Sequence, residues 1–119
     1  MKIILASTSV YRKSLLSKLG LPFECISPDA DETAKVGEDA QSLVKRLALL
    51  KARSAANIVN KALVIGSDQV ACVNNQILGK PGNFETAQQQ LSLCSGNTVS
   101  FYTGICVINT ESQNEQIEV

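Results

Sequence analysis

Short apolar runs alternate with amphipathic stretches along this chain, and turn residues separate them. Ile3–Ala6 is a compact apolar run that predicts a buried strand, and residues 10–19 carry a helical pattern. Gly20 suits the position just past that helix, and Pro22 prevents its continuation. Residues 22–26 predict a second, short strand, followed by an acidic, turn-rich loop from Ser27 to Glu32 that contains Pro28. From Ala40 to Asn60, Leu43, Leu47, Leu50, Ala55 and Ile58 roughly keep helical spacing. Residues 62–65 predict a buried strand that Gly66, Ser67 and Asp68 end. Extended chain then runs through Val70, Cys72 and Val73 to an Asn74–Asn75 turn, with Ile77–Leu78 returning. Residues 84–93 predict another helix and residues 97–108 a strand of nearly alternating polarity. A polar stretch at 110–116 leads into the start of a further strand at Ile117–Val119.

A strand left without a neighbour at 117–119 would be an open edge. The chain therefore reads as the N-terminal portion of a longer α/β protein. Its 119 residues suit one domain.

Charge sharpens this picture. Lys and Arg total 11, equal to Asp and Glu, but all the basic residues lie at or before Lys80. Glu85, Glu111, Glu115 and Glu118 follow it. This clustering suits a small anionic ligand better than the broad basic surface that nucleic acid requires, and aromatic content is only 4%. Cys25, Cys72, Cys94 and Cys106 show no metal-type spacing, and the chain has no His, which argues against a zinc site. Cys72 and Cys106 read as buried small hydrophobes. Without a CxxC or a dinucleotide fingerprint, a redox enzyme has little support. No apolar run approaches the length of a membrane span, and the first is too short for a signal peptide; the expected compartment is the cytoplasm, with no membrane partner.

Ser7, Thr8 and Ser9 join the first strand to a helix that opens with Tyr11, Arg12 and Lys13. Unpaired N–H groups at a helix start, the positive end of its dipole, hydroxyl donors and a guanidinium fork are together suited to phosphate. The same residues also fit an ordinary capped helix with two solvated basic side chains. Asp68 is placed just beyond the carboxyl end of a central strand, where ligands of open α/β sheets collect, or is a turn aspartate. A carboxylate beside a triphosphate can hold a divalent metal, and Glu32, alone or with Asp31, would be a second ligand or part of a solvated acidic loop. Lys51 and Lys80 fit phosphate-binding point charges or surface lysines, with Gly79 and Pro81 restricting the loop around Lys80. Gln69 could read a base edge through its amide, and Tyr11 could stack on a base.

The assembled pattern resembles the Maf family of nucleoside triphosphate pyrophosphatases. The resemblance is carried by Leu5–Ala6–Ser7–Thr8–Ser9, Arg12–Lys13, Asp31–Glu32, Lys51–Ala52, Gly66–Ser67–Asp68–Gln69–Val70, Gly79–Lys80–Pro81, Ser95–Gly96 and Phe101–Tyr102–Thr103–Gly104, in the family's order. Val10 stands where proline is common in the family. The resemblance implies an α/β fold, a Maf/ITPase-like mixed sheet flanked by helices and truncated before its C-terminal part. Residues 1–119 would be the N-terminal portion of a single Maf-like domain. It implies hydrolysis of a nucleoside triphosphate between the α and β phosphates, with Mg2+ or Mn2+ as cofactor. Asp68 would be the proton acceptor, with Glu32 and Asp68 toward the metal. Ser7, Ser9, Tyr11, Arg12, Lys13, Lys51, Gln69 and Lys80 would bind substrate, and a homodimer is an assembly state of the family. Ser67–Asp68–Gln69–Val70 and Tyr11 resemble the branch that favours 7-methyl-GTP, whose cationic base an aromatic face attracts. The alternatives are a dTTP or UTP pyrophosphatase, or a non-catalytic nucleotide-binding protein, regulatory or related to septum formation.

Overall fold

The computed structural model describes residues 1–32, 35–74, 76–78 and 83–119. In chain order the elements are β1 (Lys2–Ala6), α1 (Val10–Ser17), β2 (Glu24–Ile26), α2 (Ala40–Ala56), β3 (Ala62–Val73), β4 (Gln76–Leu78), α3 (Phe84–Cys94), β5 (Val99–Asn109) and β6 (Glu115–Glu118). The mixed sheet has the order β2-β1-β3-β5-β6, with β4 also paired to β3. Strands β2, β1 and β3 are parallel, whereas β4, β5 and β6 join by antiparallel pairing. This is the mixed α/β architecture expected from the sequence.

The central correction concerns β3. It does not stop at Gly66–Asp68 but runs as one strand of 12 residues. Strand β5 accounts for this, because it pairs with β3 from Leu63↔Asn109 to Val73↔Val99 and extends the ladder through the glycine and the polar residues. The other edge of β3 is shared. Strand β1 pairs with it as far as Leu5↔Ile65, and β4 begins at Ala71↔Leu78. Between these two partners the edge of β3 opens into a fork that contains Asp68.

Helix α2 supplies the core on one face of the sheet. Its stripe of Leu43, Val44, Leu47, Ala48, Ala52 and Ala55 is buried. Ala48, Ala52 and Ala55 pack with Ile4, Ala6, Ala62, Val64, Cys106 and Ile108. The small side chains let helix and sheet backbones approach closely. A Cβ on Gly66 would stand 2.6 Å from Ala52 N, and one on Gly104 would stand 2.5 Å from Val44 O. Gly66 is therefore a packing residue within a strand and not a turn residue. Helix α2 ends at Ala56, so Ile58 lies outside it and is exposed, as is Leu50 in part.

The remaining boundaries shift by smaller amounts. Helix α1 stops at Ser17 and Gly20 adopts φ +72°, in keeping with its role after a helix. Strand β2 starts at Glu24, after Pro22. Strand β6 starts at Glu115, earlier than the polar stretch suggested, because Arg53 of α2 donates a fork of hydrogen bonds to Glu115 at 2.8 and 2.9 Å and the antiparallel ladder to β5 begins there. Asn74 takes φ 51° at the β3–β4 turn, while Asn75 lies outside the described residues. Cys106 is buried as expected, whereas Cys72 is half-buried. No described helix is long and apolar enough to cross a membrane.

At the start of α2, Asp39 caps the helix by accepting from Ser42 N–H at 2.7 Å. Glu38 beside it receives a fork from Arg46 at 2.7 and 2.9 Å and also accepts from Lys35 N–H. The Arg46 hydrogen bonds hold the Glu38 carboxyl down at about 2, well below its ordinary 4.5.

Two outcomes follow for stability. Gly66→Ala and Gly104→Ala should each lower it by roughly 1–3 kcal/mol or more, because the added methyl meets helix backbone that cannot yield locally; equilibrium urea unfolding measures this. For Glu38 the folded-state carboxyl titrates below the unfolded one, so its contribution is present above about pH 4.5 and is lost as pH falls toward about 2. The gap in urea midpoint between wild type and Glu38→Gln should accordingly be widest at neutral pH and close on acidification. A gap independent of pH would contradict the ion-pair assignment.

Candidate active site

The end of β1 starts the site. Ser7 is buried, and its Oγ accepts from Ser9 N–H at 3.0 Å, which turns the chain away from the sheet. Ser9 caps α1 in extended backbone, with its Oγ accepting from Arg12 N–H at 3.2 Å and its carbonyl from Lys13 N–H at 3.1 Å. The hydroxyls and the helix start thus share one short segment beside the fork in β3. No acidic residue occupies the first turn of α1, so its dipole keeps its positive character.

The period of two along β3 puts Asp68 on the same face as Val64 and Gly66, toward α2. Lys51 comes from the buried stripe of α2 and reaches the same point. Its Nζ donates to Asp68 Oδ1 at 3.0 Å and lies 2.7 Å from Glu32 Oε1. Lys51 and Asp68 are both buried, whereas the Glu32 side chain is 54% exposed. The loop carrying Glu32 is tied to α2 one turn beyond Lys51. Asp29 N–H donates to Ser54 Oγ at 3.1 Å, and that hydroxyl donates to the Lys51 carbonyl at 3.1 Å. A single ammonium therefore faces two carboxylates.

One atom in this cluster stands apart. Asp68 Oδ2 is buried and has no hydrogen-bond partner among the described residues. A buried unsatisfied carboxylate oxygen is costly, and such atoms concentrate where a ligand completes the arrangement. Among the described residues no three His, Cys, Asp or Glu side chains gather as a metal-holding group. The pair Glu32 and Asp68 nonetheless offers the hard oxygen donors that Mg2+ and Mn2+ prefer, with water and phosphate oxygens able to complete the shell. The orphaned Oδ2 makes the donor set fit such an ion.

A cavity of about 390 Å³ lies over these groups, lined by Ser7, Thr8, Ser9, Arg12, Pro28, Glu32, Lys51, Asp68 and Gln69. It brings together Ser7, Ser9, Arg12, Glu32, Lys51, Asp68 and Gln69 from the candidates named in the sequence. Tyr11 is 69% exposed on α1, and neither it nor the exposed Lys13 lines the cavity. Lys80, with Gly79 and Pro81, lies outside the described residues. Asp68 is inside a strand and not beyond one; the strand whose carboxyl end opens on the cavity is β1. The cavity thus lies at the carboxyl end of β1, beside the stretch of β3 between its pairing with β1 and its pairing with β4. Thr8, one of the hydroxyls of the phosphate-like segment, also lines the cavity, and Pro28 completes the lining without having been singled out for binding. The signal for Lys51 was present in the sequence: it falls on the stripe of Val44, Leu47, Ala48, Ala52 and Ala55, where a lysine is out of place unless paired.

This fold and cavity define an α/β protein with a polar, charge-lined cavity at the edge of its sheet. Its backbone resembles the nucleoside-triphosphatase (dITP/XTP pyrophosphatase) of Mycobacterium abscessus, with a TM-score of 0.63 at 19% identity over 99% of this chain and 70% of that one. At that identity the likeness concerns the fold. The family of Maf-like proteins matches residues 2–119, and the chain belongs to it. It is 53% identical over 116 residues to the 7-methyl-GTP pyrophosphatase of Pseudoalteromonas atlantica, covering 98% of this chain and 59% of the relative. It is 50% identical over 116 residues to the 7-methyl-GTP pyrophosphatase of Pseudomonas savastanoi pv. phaseolicola, covering 98% and 60%. The chain thus spans about three fifths of the length of these relatives.

Replacing Ser9 with Ala removes the cap that shapes the helix start over the cavity. It should lower stability by about 1 kcal/mol, read from the shift in urea midpoint at constant slope.

Proposed function

We propose that this chain carries the catalytic face of a nucleoside triphosphate pyrophosphatase that acts on 7-methyl-GTP, releasing the monophosphate and pyrophosphate. The observation that carries the reading is the buried Lys51–Asp68 pair with its unpartnered Oδ2, set against the hydroxyls and helix start of Ser7–Arg12. The substrate comes from the 7-methyl-GTP pyrophosphatases with which the chain shares half or more of its residues over nearly its whole length.

In this reading Ser7, Ser9, the α1 N–H groups and the Arg12 guanidinium hold the triphosphate. Lys51 adds a point charge from below, and Lys80 and Lys13 supply further positive charge to the phosphates. Gln69 reads the base edge, and Tyr11, exposed on α1 outside the cavity lining, offers its ring to the methylated, cationic base where that base projects beyond the cavity. Glu32 and Asp68 hold a divalent cation, Mg2+ or Mn2+, which when bound screens phosphate charge and makes a water more acidic. In this reading Asp68 also accepts the proton of the attacking water, a role its unpartnered Oδ2 supports. Exclusion of bulk water from the buried Asp68 strengthens each of these electrostatic contacts.

Pyrophosphate release with Mg2+ or Mn2+ on 7-methyl-GTP, GTP, dTTP and UTP tests the proposal. Turnover should favour 7-methyl-GTP, stop on chelation, and fall by about 100-fold or more in Asp68→Asn. Metal-dependent nucleotide binding without pyrophosphate release would leave a binding protein instead. Preference for dTTP or UTP would overturn the substrate assignment alone.

A further inference from the structure

Lys51 makes two contacts that a divalent ion at the same carboxylates would need for itself. Its Nζ is 2.7 Å from Glu32 Oε1 and 3.0 Å from Asp68 Oδ1. It is the cation that joins a strand residue to a loop residue across the cavity, and its own burial leaves it little water for compensation. Magnesium draws carboxylate oxygens to about 2.0–2.1 Å. An ion bridging Glu32 and Asp68 at such distances would enter the space the ammonium fills, and like charges so close in a partly desolvated site repel strongly. Entry through Oδ2 alone would still put the ion on a carboxylate whose other oxygen is held by Lys51.

We infer that Lys51 is the resident counter-ion of this site: its ammonium gathers Glu32 and Asp68 before a divalent cation arrives, and the cation displaces it toward the phosphate-binding side of the cavity. This rests on the reading of Glu32 and Asp68 as cation ligands. The exchange is feasible because only the head group must move. The Lys51 backbone is fixed in α2, while its four-carbon stem is flexible. Ser7, Ser9 and Arg12 line the same cavity, so the released ammonium stays beside the place for triphosphate oxygens. Lys51 then has two successive partners. Before loading it offsets two neighbouring carboxylates, and after loading it offsets the substrate's charge. A site so arranged avoids bare carboxylate repulsion when empty and couples cation entry to the readiness of a phosphate ligand.

The test measures Mn2+ binding without nucleotide, by electron paramagnetic resonance of free Mn2+, in the full chain and in Lys51→Met. Methionine keeps much of the stem and removes the charge. Lys51→Met should bind Mn2+ about ten-fold more tightly or better, the scale of one nearby like charge removed. Its melting temperature should fall below wild type without metal and recover with Mn2+. Equal or weaker binding by a folded Lys51→Met overturns the inference. A second measurement uses wild type alone, so it stands even where that variant does not fold. The 15N resonance of the Lys51 ammonium, assigned by its loss in Lys51→Arg, should move or vanish at saturating Mg2+. A resonance that stays put while Mg2+ binds overturns the exchange. If neither protein binds Mn2+, or if binding survives in the Glu32→Gln/Asp68→Asn double variant, the cation reading of these carboxylates fails and the inference falls with it.

Discussion

The backbone contact between α2 and the sheet at Gly66 and Gly104 governs this structure. Two glycines on adjacent strands, two pairs apart in the register and so on the same face, remove the side chains that would hold the helix off. Ala48, Ala52 and Ala55 do the same from the helix side. The resulting separation is short enough for a lysine on the helix to reach an aspartate on the strand. Packing and chemistry are therefore the same feature. A wider helix–sheet spacing would leave Asp68 buried without a counter-charge, which is a costly state for a carboxylate.

The second constraint is the division of labour along β3. One edge is paired with β5 from Leu63 to Val73, which keeps the strand continuous through its polar residues. The other edge changes partner from β1 to β4. Ladder hydrogen bonds on one side supply rigidity while the fork on the other side leaves β3 open toward the cavity. Asp68 needs both. A loop aspartate would have been free to turn into solvent, whereas a strand aspartate is fixed by its neighbours and faces the helix by the pleat.

Loops around the cavity are held by local contacts of the same kind. Ser54 passes a hydrogen bond from the Asp29 amide to the Lys51 carbonyl, so the acidic loop is referenced to the helix turn that carries the lysine. Arg46 with Glu38 and Arg53 with Glu115 anchor the entry to α2 and the edge strand to the same helix. Helix α2 thus organises the core, the site and both flanks.

Much of this was legible beforehand. The strand at Ile3–Ala6, the helix start after Ser9, and the helix at Ala40 are local patterns, because apolar periodicity and capping side chains act within a few residues. The linked motifs also placed the chain in its family and named most of the cavity's lining. What they did not show was that Gly66–Asp68 continues a strand, since glycine and two polar residues read locally as a turn and only the distant pairing with Val99–Asn109 overrides that preference. Nor did they show that Lys51 faces Glu32 and Asp68, groups that lie far apart in sequence. By itself the sequence determined the residue types, the elements they favour and the kind of ligand they suit. The tertiary structure alone decided which charges meet, because burial and distance between separate elements arise only when helix and sheet close on one another.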